Sequence, residues 1–224
     1  MIHIMSTRMF LVRHGETTVA AEDRFAGSID VPLSAAGRQQ AERLAARLAS
    51  EPIAAAYCSP MQRTRDTAAI VAAPHHREAT VRDGLREIGH GRWEGLRRSE
   101  VEARFPDEYA AWEEDPFTVA PEGGESGVQV VARALPVVRD IAIAHPGENV
   151  LVVSHKATIR LIIACLLGFD PRGYRDRLDQ SPTSLNVLDF MTPVRVRLVL
   201  FNDVSHYAAA PPLSGQRLSK WCQD

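Results

Sequence analysis

Short apolar runs that end in polar clusters recur along this chain, and several lead directly into segments of helical period. Met9 to Val12 (MFLV) ends at Arg13-His14-Gly15, Ile53 to Cys58 ends at Ser59-Pro60, and Asn149 to Val153 (NVLVV) ends at Ser154-His155. Runs this short, apolar throughout and in places β-branched, suit strands buried on both faces. Between them, Ser34 offers an N-cap for a helix to about Ser50, with Ala41, Leu44, Ala45 and Leu48 as its apolar stripe. A second helix follows Pro60 to about Ala73. The segment ATIRLIIACLLG follows His155, with Gly168 as its C′ residue. Leu185 to Phe190 and Val194 to Phe201 read as two more strands, antiparallel neighbours of each other. Such alternation argues for an α/β sandwich with a largely parallel sheet covered by helices on both faces.

Two stretches depart from that rhythm. From about Leu85 to Ser126 the chain is rich in Glu, Trp, Gly and Pro, and one helix is expected around Glu100 to Trp112. This stretch reads as an insertion that covers the active site rather than as a separate domain. Around Pro136 the helical pattern from Ser126 to Ala144 should kink or restart, because proline lacks the N–H and clashes with the preceding turn.

Bulk properties narrow the partners. The 224 residues suffice for one large core, and 45% apolar with 24% charged residues is ordinary for a soluble globular chain. A formal charge of -2 gives no electrostatic reason to expect nucleic acid or an anionic membrane as partner. No apolar run approaches the roughly 20 residues of a membrane span. The opening MIHIMSTRMF lacks the layout of a signal peptide, and Met5 and Met9 are alternative starts. Cys58, Cys165 and Cys222 show neither metal-ligand nor disulfide spacing. Cys58 and Cys165 are expected as buried small hydrophobes, and a cytoplasmic location follows as the simplest reading.

Four polar clusters are placed where ligands bind in open α/β sheets, at strand ends or helix starts. They are Arg13-His14-Gly15-Glu16-Thr17, Ser59-Pro60 leading to Arg63, Leu85-Arg86-Glu87, and Ser154-His155. A phosphoryl group needs several fixed donors, and two arginine forks match its oxygens. One histidine can attack phosphorus as neutral imidazole, while the other, if protonated, clamps an oxygen. A carboxylic acid must then protonate the leaving oxygen and later take a proton from water, and Glu87 is the candidate.

The ordered series FLVRHGETT, RFAGSIDVPLSAAGRQQA, YCSPMQRTRDTA, LREIGHGRWEGL, PEGGES, VLVVSHKATIRLII, SPTSLNVLDF and FNDVSHY resembles the histidine phosphatase (phosphoglycerate mutase-like) superfamily from Phe10 to Tyr207. The resemblance implies a three-layer α/β/α sandwich with a mainly parallel sheet, spanning 1–224 as one domain with 85–126 as the inserted lid. It also implies that His14 is the phosphorylated nucleophile, that Arg13, Arg63 and His155 form the phosphate pocket, and that Glu87 is the acid/base. Thr17 lies near the pocket mouth in that reading, and Gly27 is carried as a further substrate-side residue. No metal or organic cofactor is implied.

Three positions depart from the family pattern. Ala20 stands where many members carry Asn, and Lys156 where Gly is usual. Lys156 is either a solvated lysine in a first helical turn or a cation for a second anionic group on the substrate. His90 stands where an aromatic residue is frequent; a contact with the leaving group is one reading, and a surface or packing histidine is the favoured one. Other residues take bland readings: His75-His76 as loop histidines, His145 as solvated, Glu16 and Glu113-Glu114-Asp115 as structural or surface groups. His206 is expected to make a structural hydrogen bond, and Trp93 and Trp112 to anchor the insertion.

Phosphomonoester hydrolysis through phosphohistidine, on a small phosphorylated metabolite, is the leading expectation. The alternatives are a cofactor-dependent phosphoglycerate mutase and a silent module that binds phosphorylated partners. LREIGHGRWEGL is closer to the phosphatase branch, and the retention of His14, Glu87, Arg13 and Arg63 argues against a silent module. A monomer or a homodimer is expected.

Overall fold

The computed structural model describes residues 6–18 and 24–209. Ala20, Met5 and Cys222 lie outside them. Its centre is a six-stranded sheet in the order β3-β2-β4-β1-β5-β6. The strands are β1 (Thr7–Arg13), β2 (Ile53–Cys58), β3 (Ala79–Val81), β4 (Asn149–Ser154), β5 (Leu185–Thr192) and β6 (Arg195–Asp203). β1 to β4 run parallel, and β5 and β6 extend the sheet as antiparallel strands. The expected mainly parallel α/β sandwich is therefore present.

Alternation within the central strands explains the layers. Met9, Leu11, Val150, Val152 and Leu188 pack into one core with α5 (Gly127–Ala144) and α6 (Lys156–Leu167). Phe10, Val12, Leu151, Val153 and Val187 pack into another with α1 (Ala35–Leu48) and α2 (Gln62–Ala72). Successive side chains of a strand point to opposite faces, so a continuous apolar run serves both cores. Ser34 caps α1 by accepting from Gly37 N, and Gly168 closes α6 at φ 73°.

Several details differ from the sequence reading. The helix expected around Glu100 to Trp112 is two helices, α3 (Arg98–Arg104) and α4 (Pro106–Glu114), broken at Phe105 with φ -135° and ψ 55°. Pro106 disfavours the helical conformation at the residue before it and then starts the next helix well. α5 does not restart at Pro136 but runs through it as one helix. β3 has only three residues, too few for a periodic signal. Cys58 is buried as expected, whereas Cys165 is only half-buried.

His145 is not a free solvated side chain: its Nε2 lies 2.8 Å from Tyr57 Oη and its Nδ1 2.7 Å from Glu148. Among the described residues His206 has no hydrogen-bond partner at either ring nitrogen, and it meets the Tyr207 ring edge-on at 4.9 Å. Trp93 and Trp112 do anchor the stretch after β3, in a cluster with Phe25, Val101 and Tyr109. Buried Glu113 pairs with Arg98 and with Arg175, which lies in α7 (Tyr174–Arg177). Among the described residues, no helix is long and apolar enough to cross a membrane.

Candidate active site

The carboxyl ends of β1 and β4 are hydrogen-bonded neighbours, with Arg13 opposite Ser154 and His14 N donating to Ser154 O at 3.0 Å. That register brings His14 and His155 together, with ring centroids 5.2 Å apart. Both rings are buried.

His14 has a defined tautomer. Its Nδ1 lies 2.7 Å from the carbonyl oxygen of Gly15, which can only accept, so Nδ1 carries the hydrogen. Nε2 then keeps its lone pair. Burial, with the nearby Arg13 and Arg63 charges, holds the pKa of His14 well below the usual histidine value. The ring is a neutral base at ordinary pH.

The turn that carries His14 is held backbone to backbone against the start of α1. Gly15 N donates to Thr67 Oγ1 at 3.1 Å, and Glu16 accepts from Ser34 Oγ at 3.0 Å. A Cβ on Gly15 would lie 2.6 Å from Gly37 O, so the approach requires glycine. Thr17 is buried and bridges to Leu33.

Arg63, in the first turn of α2, reaches three acceptors. Its Nη1 and Nη2 donate to the carbonyls of Ile29 (2.8 Å) and Gly27 (2.9 Å), and its Nε donates to His155 Nδ1 at 3.2 Å. Since His155 Nδ1 accepts, its hydrogen sits on Nε2, which faces Ser59 Oγ at 2.8 Å. Burial first, and then Arg63, His14 and Arg13, hold the His155 pKa well below the usual range. His155 is therefore a neutral donor here, and not the protonated clamp that the sequence reading allowed for. Gly27 contributes a carbonyl that orients Arg63. A Cβ at Gly27 would meet Ile88 O at 2.0 Å.

Arg13 leaves the end of β1 and donates from Nη1 to the carbonyl of Gln180 at 2.6 Å, while its Nε is buried without a partner among the described residues. Burial lowers its pKa to about 10, against the opposing pull of Glu87. Gln180 is fixed in turn by Asn186 and Ser184.

The Glu87 carboxylate sits on the N-terminus of α6. Its Oε1 accepts from Thr158 N (3.1 Å), Thr158 Oγ1 (3.1 Å) and Ile88 N (3.0 Å), and its Oε2 accepts from Ala157 N at 3.2 Å. Helix N-termini carry partial positive charge and free N–H groups, which suits a carboxylate. The backbone that carries Glu87 is gripped by Arg133, which donates to the carbonyls of Gly84 and Arg86 (2.8 Å each) and of Glu87 (3.0 Å). Glu125 pairs with both Arg133 and Arg86.

Lys156 opens α6, and its Nζ lies 3.4 Å from Asp179 Oδ1. His90 is half-buried and edge-on to Phe25 and Trp112, at 4.8 and 6.2 Å between centroids, and packs against them. The structure thus brings His14, Arg13, Arg63, His155 and Glu87 to the neighbouring ends of β1, β4, α2 and α6. It adds Arg133, Gln180, Thr67 and Thr158, which the sequence reading did not single out. Among the described residues, no group of three or more His, Cys, Asp or Glu is arranged to hold a metal ion.

An arrangement of a buried neutral imidazole with a free Nε2, two fixed guanidinium groups and a neighbouring carboxylate can bind a phosphoryl group and accept it on nitrogen. The model of the histidine phosphatase superfamily (branch 1) matches residues 9–204. Phosphoserine phosphatase 1 of Hydrogenobacter thermophilus is 35% identical over 163 residues, covering 73% of this chain and 77% of that protein. A longer relative, a bifunctional protein of Mycobacterium tuberculosis, is 34% identical over 185 residues, which are 82% of this chain and 50% of the relative. Among solved structures, Bacillus stearothermophilus YhfR superposes with a TM-score of 0.82 at 33% identity, covering 89% of this chain and 98% of that one. A mycobacterial glucosyl-3-phosphoglycerate phosphatase superposes at 0.79 with 30% identity, over 88% and 99% of the two chains.

Proposed function

This chain belongs to the histidine phosphatase superfamily (branch 1), and we propose that it hydrolyses small phosphomonoesters through a phosphohistidine formed at His14. It is a phosphoric monoester hydrolase by family and by its likeness to named phosphatases. The observation that carries the His14 assignment is the 2.7 Å contact of its Nδ1 with Gly15 O, which leaves Nε2 as the only nitrogen able to attack.

In this reading the phosphoryl oxygens are held by Arg13, Arg63 and His155, whose Nε2–H exchanges Ser59 Oγ for a phosphoryl oxygen when substrate binds. The lone pair of His14 Nε2 forms a bond to phosphorus as the P–O bond to the alcohol breaks. A protonated Glu87 gives its proton to the departing oxygen. Water then attacks the phosphohistidine and yields its proton to the Glu87 carboxylate, and the P–N bond breaks to restore neutral His14. Each state of the cycle returns its atoms and its proton. Positive charge from Arg13 and Arg63 stabilises the charge spread over the oxygens in both transition states.

Residues 85–126 act as a lid in this account, because they carry both Glu87 and the aromatic cluster of Trp93, Tyr109 and Trp112. The protein acts in the cytoplasm on small phosphorylated metabolites, as a monomer or homodimer. Incubation with 3-phosphoglycerate and catalytic 2,3-bisphosphoglycerate tests the reaction type. Release of inorganic phosphate is expected. Rapid formation of 2-phosphoglycerate without phosphate release would make the protein a mutase instead.

A further inference from the structure

Asp179 carries more cation than it needs. Arg160 Nη2 pairs with its Oδ1 at 2.9 Å, and Gln180 N donates to the same oxygen at 2.8 Å. Lys156 Nζ reaches that oxygen only at 3.4 Å, the longest of the three contacts. An ammonium has three donors, so two N–H groups of Lys156 remain for another acceptor. Its side chain is 23% exposed and so reaches solvent, while its neighbour Arg160 is buried.

The position of this ammonium relative to the chemistry follows from the chain. Lys156 comes between His155 and Ala157, whose N–H holds the Glu87 carboxylate at 3.2 Å. Arg13 is tied at 2.6 Å to the carbonyl of Gln180, the residue after Asp179. Lys156 and Arg160 share the Asp179 carboxylate, and Lys156 lies close enough to Arg13 to feel its charge. Arg13 and Arg63 are the cations that a phosphoryl group takes up. Lys156 is a further cation in the first turn of α6, whose N-terminus also holds the Glu87 carboxylate.

We propose that Lys156, supported by Arg160, forms a second anion subsite, so that favoured substrates are phosphomonoesters whose alcohol carries a carboxylate or similar acidic group. This rests on the phosphatase reading of the same site. A half-buried ammonium with a single shared counter-ion gains a full partner when such a group arrives.

A matched pair of compounds tests it. 3-Phosphoglycerate and glycerol 3-phosphate differ only by carboxylate against hydroxymethyl at the far carbon. The wild-type protein should favour 3-phosphoglycerate in kcat/KM by about tenfold, as expected for one charged hydrogen bond. Lys156→Met should bring that ratio close to one, Lys156→Gln should do the same with the polar stem retained, and Lys156→Arg should keep it. An unchanged ratio in the Met and Gln variants, or no preference in the wild type, would overturn the proposal. Calorimetric binding of the same two compounds separates this from the phosphatase reading. If neither is hydrolysed, a binding preference lost in Lys156→Gln still supports the subsite, and equal binding of both to the wild type removes it.

Discussion

Arg133 Nη2 donates to the carbonyl oxygen of Glu87 at 3.0 Å, while the Glu87 carboxylate caps α6 from the other side. The side chain proposed as acid and base is therefore positioned from both ends. Its placement depends on a residue with no expected contact to substrate.

Arg133→Met keeps the stem but removes five hydrogen bonds, one each to the carbonyls of Gly84, Arg86 and Glu87 and two to Glu125. A misplacement of about 1 Å in a catalytic group costs about 100-fold in rate, so kcat should fall by about 10- to 100-fold. KM should change less, since Arg13 and Arg63 are untouched. Steady-state kinetics with a poor leaving group measures this, and a fall in KM alone would contradict it.

Gly27→Ala should disturb Arg63 from a distance. The new methyl would lie 2.0 Å from Ile88 O, and Gly27 O is the acceptor for Arg63 Nη2. The backbone must shift, at a cost of about 1–3 kcal/mol. A raised KM for phosphomonoesters together with a lower midpoint in chemical denaturation is the expected outcome.

Stability should fall as pH drops from 7 to 5.5. The folded pKa values of His14 and His155 lie well below 6.5, and that of His90 is lowered to about 4, chiefly by desolvation. Below pH 6.5 the unfolded chain binds protons that these folded histidines refuse, so the loss begins near 6.5 and continues downward. Each contributes about 1 kcal/mol between pH 6.5 and 5.5. Urea denaturation at both ends of the range reads the sum. His90→Asn should flatten the slope, and equal stability at pH 7 and 5.5 would exclude the effect.

Preference for an acidic alcohol should decline above about pH 8. Burial lowers the Lys156 pKa to about 8, helped by Arg160 on its own helix and Arg13 on β1, and opposed by Asp179 before β5. The ammonium loses its charge as pH rises through that value. The kcat/KM ratio of 3-phosphoglycerate to glycerol 3-phosphate follows it. Lys156→Arg should hold the ratio constant to pH 9.

Much of the sheet was legible because each central strand is a continuous apolar run that ends in polar residues. Met9 to Val12 and Asn149 to Val153 show this directly, and their parallel register places His14 beside His155. What escaped was of two kinds. β3 and the break at Phe105 are too short to set up a period, although Pro106 marks the break in retrospect. Arg133, Gln180 and Thr67 act through long-range hydrogen bonds that involve backbone groups, and no local pattern announces such contacts. His145 was misread for the same reason, because its partner Tyr57 lies on β2, 88 positions away in sequence, whereas the ring nitrogens of His206 have no hydrogen-bond partner among the described residues.

The central claim is that phosphate passes through His14. Rapid acid-free quenching of the protein during turnover of a 32P-labelled phosphomonoester, followed by peptide mapping, tests it most directly. The account predicts an alkali-stable, acid-labile label on the peptide containing His14, formed fast enough to precede phosphate release and absent in His14→Ala. Steady turnover by the wild type without any label, or turnover that survives in His14→Ala, would contradict it.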